Sequence, residues 1–162
     1  MESRLIRLSE TMGLCVTHEN LHRRHPGLDG YARPARGLIF LDHSIRGTRQ
    51  GICVLSEEVG HCLYPPAADH LTYHSREFWQ LSQAQRDNLS IMATKDERAA
   101  LLWATEYVIP DWKFWAFYSR GPHNWWHWLE HFEVEDWFMR TKVGFMRCKH
   151  PFKWREMVTR TS

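Results

Sequence analysis

The alternation of apolar and polar positions predicts strands early in the chain and helices after them. Leu5, Leu8 and Met12 repeat at helical spacing and predict a short helix over 2–12, with Gly13 as its stop. Leu14 to Thr17 suits a strand. Glu19 to Leu28, with Pro26 and Gly27, reads as a loop, and Asp29 to Arg33 reads as a second strand. Pro34 to Gly37 turns the chain into Leu38-Ile39-Phe40-Leu41, its most strand-like run. The proximity of these last two strands predicts an antiparallel hairpin.

From Gly51 to Leu63 the period changes. Ile52, Leu55, Val59 and Leu63 form an apolar stripe at three- and four-residue steps, which predicts one amphipathic helix. Asp42 or Ser44 is its expected cap, and Pro65-Pro66 ends it. The stretch 67–93 has poor periodicity, with His70, Tyr73, His74 and Trp79 among polar residues. It reads as a flap over a cleft, with a short helix near Ser75–Leu81. A clear helix runs from Thr94 to Pro110, its stripe of Ala100, Trp103, Ala104 and Tyr107 suited to close packing. Two aromatic helices follow, Asp111 to Tyr118 and Asn124 to Phe132, separated by Gly121-Pro122. Asn124 caps the second, whose Trp125, Trp128, Leu129 and Phe132 share a face. A last helix, Glu135 to about Cys148, presents Phe138, Val143 and Met146. The expected class is α+β: a small antiparallel sheet packed by helices and followed by a C-terminal helical segment. A single domain of 162 residues is expected, with a sheet and central helix (1–64), a flap (65–93) and a helical part (94–162).

Composition is ordinary apart from nine Trp and eleven His. No apolar run reaches membrane-spanning length, and no charged-then-apolar leader opens the chain. Cys15, Cys53, Cys62 and Cys148 form no Cys-x-x-Cys pair, a spacing that fits a reducing cytosol. The net charge of +2 hides an uneven spread. Residues 51–139 carry six Lys/Arg against thirteen Asp/Glu, whereas 140–162 carry seven against one. The acidic middle suits a cation; the basic end suits an anion, or simply a solvated terminal helix.

The central helix also carries chemistry. Glu57 and His61 are four apart and lie on one helical face, with Glu58 sharing part of it. Two ligands one turn apart, beside a carboxylate able to take a proton from water, are what a zinc hydrolase needs. The usual form is His-Glu-x-x-His; here Glu57 stands at the first position, giving Glu-Glu-x-Gly-His. By itself the pentapeptide also fits a solvated acidic edge with one histidine. A third ligand is required. Glu97 is the candidate, although Thr94-x-x-Glu97 equally fits a capping box. His43, His70 and His74 are rival ligands, and Cys62 is either a soft ligand or a buried thiol.

These motifs, in this order, resemble the ImmA/IrrE metallopeptidases. The resemblance runs from the helix ending at Gly13 through Asp29-Gly30-Tyr31 and Leu38-Ile39-Phe40-Leu41 to Leu55-Ser56-Glu57-Glu58-Val59-Gly60-His61. It continues in Glu97-Arg98-Ala99-Ala100-Leu101-Leu102-Trp103-Ala104, closing on Ile109-Pro110, and in Leu129-Glu130-His131-Phe132-Glu133-Val134. It implies that Glu57, His61 and Glu97 hold zinc, that Glu58 is the general base, and that the core is thermolysin-like. It also implies a helix-turn-helix repressor of a mobile element or stress regulon as substrate. Two departures matter. Two carboxylates would cancel the charge of the ion, making a bound water less acidic and manganese a conceivable occupant. Segment 67–93 looks like an insertion.

The expected activity is therefore a cytoplasmic zinc-dependent endopeptidase acting on a DNA-binding repressor, with Tyr73, His70 and His74 as positional candidates for a second oxyanion donor. The alternative is a non-catalytic anti-repressor that docks through Trp125, Trp128 or Trp137. Direct DNA binding through Arg140, Lys142, Arg147, Lys149, Lys153 and Arg155 ranks last, because Trp137 and Phe138 near the helix start suit base contacts poorly.

Overall fold

The computed structural model describes residues 1–65 and 97–153. The expected flap, the helix near Ser75–Leu81, His70, Tyr73, His74, the capping residue Thr94 and Arg155 lie outside the described residues. The chain divides into two compact units, Met1–Ala104 and Thr105–Ser162.

The first unit opens with α1 (Glu2–Thr11), which buries Leu5 and Ser9. Gly13, at φ +74°, lets the chain leave the helix. Leu14 N–H then donates to Ser9 O and Gly13 N–H to Glu10 O, satisfying carbonyls that a helix end leaves open. Strand β1 (Cys15–Glu19) follows, then a helical turn α2 (Leu21–Arg24) where a loop was expected, because Leu21 is drawn into the core. Strands β2 (Gly30–Arg33) and β3 (Leu38–Asp42) form the anticipated antiparallel hairpin around Pro34–Arg36. The sheet as a whole is mixed, not antiparallel: its order is β1-β3-β2, and β1 runs parallel to β3. Three strands with helices around them remain an α+β architecture.

Register explains the two faces. Val16 and His18 of β1 stand opposite Ile39 and Leu41 of β3, which stand opposite Ala32 and Gly30 of β2. That face receives α3 (Arg49–Leu63), the helix with which the sheet and α1 make the core. A methyl group on Gly30 would come within 2.7 Å of Val54 Cγ1 and 2.9 Å of Leu41 Cδ2, so helix and sheet touch where there is no side chain. Tyr31 and Phe40 stack on the opposite face at 4.9 Å, with the Arg33 guanidinium over both rings. Leu5, Ile39, Leu41, Leu55 and Val59 are wholly buried; burial of such side chains stabilises by about 1.5–3 kcal/mol each.

Helix α4 spans residues 97–108 and brings Ala100 and Ala104 to complete burial. The second unit contains α5 (Asp111–Tyr118), α6 (Trp125–Phe132) and α7 (Asp136–Lys149). Asn124 caps α6 as expected, its Oδ1 accepting from His127 N–H at 3.0 Å. The Trp128 ring packs on Phe114, Phe117 and Phe132. Lys142 is also buried, its Nζ donating to Glu106 Oε2 at 2.7 Å and Asp111 Oδ1 at 2.5 Å. No helix among the described residues is long and apolar enough to cross a membrane.

Candidate metal centre

Helix α3 is not the half-solvated helix its stripe predicts. Every residue from Gly51 to His61 is buried, while Leu63, counted in the stripe, is exposed. Sheet, α1 and neighbouring segments enclose the helix on several sides, so Glu57 and Glu58 cannot form a solvated acidic edge. Their relative exposures are 3% and 0%, and that of His61 is 1%. Ionised groups survive such burial when they are paired or bind a metal. An edge reading fails on this point.

Neither expected residue caps α3. Thr48 does, its Oγ1 accepting from Gly51 N–H at 3.0 Å and donating to Ile45 O at 2.7 Å. Asp42 instead closes the short turn His43–Ile45, with Ser44 N–H at 2.8 Å. Gly51 is required because a methyl group there would collide with the Ile45 carbonyl. The helix start is held by a network that local pattern does not reveal. Gln50 Nε2 donates to Asp29 Oδ2 at 2.7 Å, and His22 Nε2 bonds Asp29 Oδ1 at 2.9 Å. His22 N–H donates to Asp42 Oδ2 at 2.9 Å, and Asp42 N–H to Asp29 O at 2.8 Å. Burial would raise the Asp42 pKa, but the hydrogen bonds from Ser44 and His22 outweigh it and hold the carboxyl far below its ordinary range. Paired carboxylates at positions 29 and 42, beside a histidine, are the only sequence trace of this clasp.

The three expected ligands converge. Ligand atoms of Glu57, His61 and Glu97 all lie within 4.8 Å of one another, and this cluster can hold a metal ion. His61 Nε2 and Glu97 Oε2 are 3.4 Å apart. Glu97 comes from the first turn of the described part of α4 and keeps 37% of its side chain exposed, whereas His61 keeps 1%. Glu58 lies next to the ligands in sequence and is fully buried.

The remaining sequence candidates separate from the centre. His43 is exposed and stacks on His18 at 6.2 Å. Cys62 is not among the clustered ligand atoms, and its thiol is pushed up to about 11, first by burial and then by the Glu58 charge. In the second unit, His123 and His131 stack on Phe117, each with ring centroids 4.0 Å from it, and belong to no metal-ligating group among the described residues.

Several of the residues offered for docking and for DNA have structural roles. Trp128 is buried, and Trp125 donates to Asp136 Oδ1 at 2.6 Å beneath the Arg140 guanidinium. Arg140 pairs with Asp136, Lys142 is buried between two carboxylates, and Lys149 reaches Asp111 and Glu106. Lys153 lies over Trp115. Among the described residues, the exposed tryptophans are Trp112 and Trp126, at 68% and 57%. No family model, curated protein or solved structure matches the chain.

Proposed function

We propose that this chain is a zinc-dependent endopeptidase with a narrow protein substrate, a DNA-binding repressor of the helix-turn-helix type. The observation that carries the reading is the convergence of Glu57, His61 and Glu97, with the fully buried Glu58 next to Glu57 in the chain. Its donor set is two carboxylates and one imidazole, the two-histidine, one-glutamate set of zinc hydrolases with Glu57 in place of one histidine. His61 and Glu97, 3.4 Å apart, are close enough to bind one ion together. The substrate class follows from the resemblance of the ordered motifs to the ImmA/IrrE metallopeptidases.

A zinc ion held there would supply a Lewis acid that acidifies water and polarises a carbonyl oxygen. The protein's own part falls to four side chains. Glu57, His61 and Glu97 would hold the ion. A Glu58 carboxylate oxygen accepts a proton as water adds to the scissile carbonyl carbon, then returns it to the amine nitrogen as the C–N bond breaks. Burial of Glu58 keeps bulk water from competing for that proton and strengthens its field on the reacting atoms.

The test is cleavage of the purified repressor by purified protein, with Glu58→Gln beside the parent. Cleavage by the parent and its loss in Glu58→Gln support the reading; undiminished cleavage by the variant refutes it. A second reading, binding without cleavage, draws support from exposed Trp112 and Trp126. Under it, Glu58→Gln leaves derepression intact while Trp112→Ala or Trp126→Ala abolishes it.

A further inference from the structure

The contact between α3 and α4 has its closest point beside the metal centre. A methyl group built on Gly60 would stand 2.6 Å from Ala100 O, 2.9 Å from Ala100 Cα and 3.0 Å from Ala100 C. All three are backbone atoms of a helix, so they cannot swing aside as a side-chain tip can. Among the other glycines of described helices, Gly144 in α7 has no atom within 4 Å of the same added carbon, and Gly51 meets Ile45 and Thr48, just ahead of its own helix, whereas Gly60 meets a second helix. Gly60 therefore marks a specific close approach.

Its position relative to the ligands is equally specific. Gly60 precedes His61 and follows Glu57 by three residues, while Ala100 follows Glu97 by three and is wholly buried. Residues three apart share a helical face. The point where the two backbones touch thus lies within one turn of all three ligands. We propose that Gly60 is a positioning residue of the metal centre: by admitting the Ala100 backbone it sets the distance at which Glu97 meets Glu57 and His61. This rests on the metal-centre reading above.

Magnitudes decide that the effect is large. Relieving a 2.6 Å contact to an ordinary one of at least 3.4 Å requires α4 to move back by 0.8 Å at that point. Metal ligands hold their distances within about 0.2 Å. Glu97 already has the longest carboxylate side chain available, so a retreating helix cannot be compensated by a longer acid.

The experiment compares zinc affinity, by competition with a chromophoric chelator, in the parent, Gly60→Ala, Glu97→Asp, Glu97→Ala and the Gly60→Ala/Glu97→Ala pair. Far-ultraviolet circular dichroism and the metal-free thermal midpoint report folding. Glu97→Asp withdraws the carboxylate by one C–C bond, about 1.5 Å, without touching the helix contact. Gly60→Ala and Glu97→Asp are each expected to bind at least about tenfold more weakly. The pair is expected to bind no more weakly than Glu97→Ala alone, because Gly60 then has no ligand left to position. Parent-like affinity in a folded Gly60→Ala overturns the proposal, as does an equal loss from Gly60→Ala in the Glu97→Ala background. If Gly60→Ala unfolds at the assay temperature, affinity is read in sucrose below its metal-free thermal midpoint with the parent alongside: tenfold weakening supports the proposal, and parent-like binding overturns it. A parent that takes up no zinc removes the metal-centre reading itself, an outcome distinct from a zinc-binding parent with an indifferent Gly60→Ala.

Discussion

His61 Nε2 and Glu97 Oε2 stand 3.4 Å apart, the imidazole carried by α3 and the carboxylate by α4. A contact between two neighbouring turns would need only local structure. This one needs the second helix to be delivered against the first, so metal binding and packing in the first unit are linked. A ligand bound only by the folded form stabilises by about 2.7 kcal/mol at a hundredfold excess over its Kd. Chelator removal of zinc is therefore expected to lower the thermal midpoint by roughly 5–10 °C. Differential scanning fluorimetry with and without chelator checks this, and Glu97→Ala should show no chelator effect.

Thr48 anchors the helix that carries Glu57, Glu58 and His61. Thr48→Ala removes the acceptor for Gly51 N–H and is expected to destabilise by about 1 kcal/mol. Thr48→Ser should retain most of the stability. Urea unfolding of the three proteins measures it, and equal midpoints for Ala and Ser would remove Thr48 from this role.

Much of this centre is legible in the chain because it is local. Glu57, Glu58 and His61 share one helix, so their relation follows from periodicity alone. Asn124, Pro110 and the Gly121-Pro122 break are also local signals, and they bound α5 and α6 where the structure has them. What pattern leaves open depends on contacts distant in sequence. Capping and ligation give Glu97 the same spacing signal, and only its approach to His61 distinguishes them. The pairing of β1 with β3 joins strands separated by α2 and β2, and no turn signal specifies it. Lys142 reads as one of a basic run, yet its partners Glu106 and Asp111 come from other helical segments.

Asp42 supplies a pH dependence with a definite sign. Its folded-state pKa lies below the ordinary carboxylate value of about 3.9, so the folded form binds fewer protons than the unfolded form in acid. The stabilisation is fully present above about pH 5 and declines as pH falls below about 4 toward the folded-state value. Asp42→Asn is expected to flatten the acid limb of the stability curve, read as urea midpoints between pH 3 and pH 6. An unchanged limb would contradict the role of the hydrogen bonds from Ser44 and His22.

Lys142 tests the second unit. Removing one member of a buried ion pair costs about 3–5 kcal/mol when both partners are enclosed. Glu106 and Asp111 keep 42% and 26% of their side-chain exposure, so water can compensate them in part. Lys142→Met is expected to destabilise by about 1–3 kcal/mol. Lys142→Arg should not restore full stability, because a guanidinium does not fit a site shaped for a buried ammonium.

Glu133 ends α6 in the left-handed conformation, at φ +54°. A side chain there costs roughly 1 kcal/mol relative to glycine. Glu133→Gly is expected to raise stability by up to about 1 kcal/mol, despite the greater freedom of the unfolded chain. A lower melting temperature would show that the Glu133 side chain makes a stabilising contact that outweighs the strain.

The central claim is that Glu57, His61 and Glu97 form one zinc site. Its most direct test is native mass spectrometry of untagged protein after zinc loading and desalting, with His61→Ala and Glu97→Ala alongside. The account predicts one zinc per chain in the parent and loss of that zinc in both variants. A parent that retains no zinc, or variants that retain it undiminished, would contradict the account.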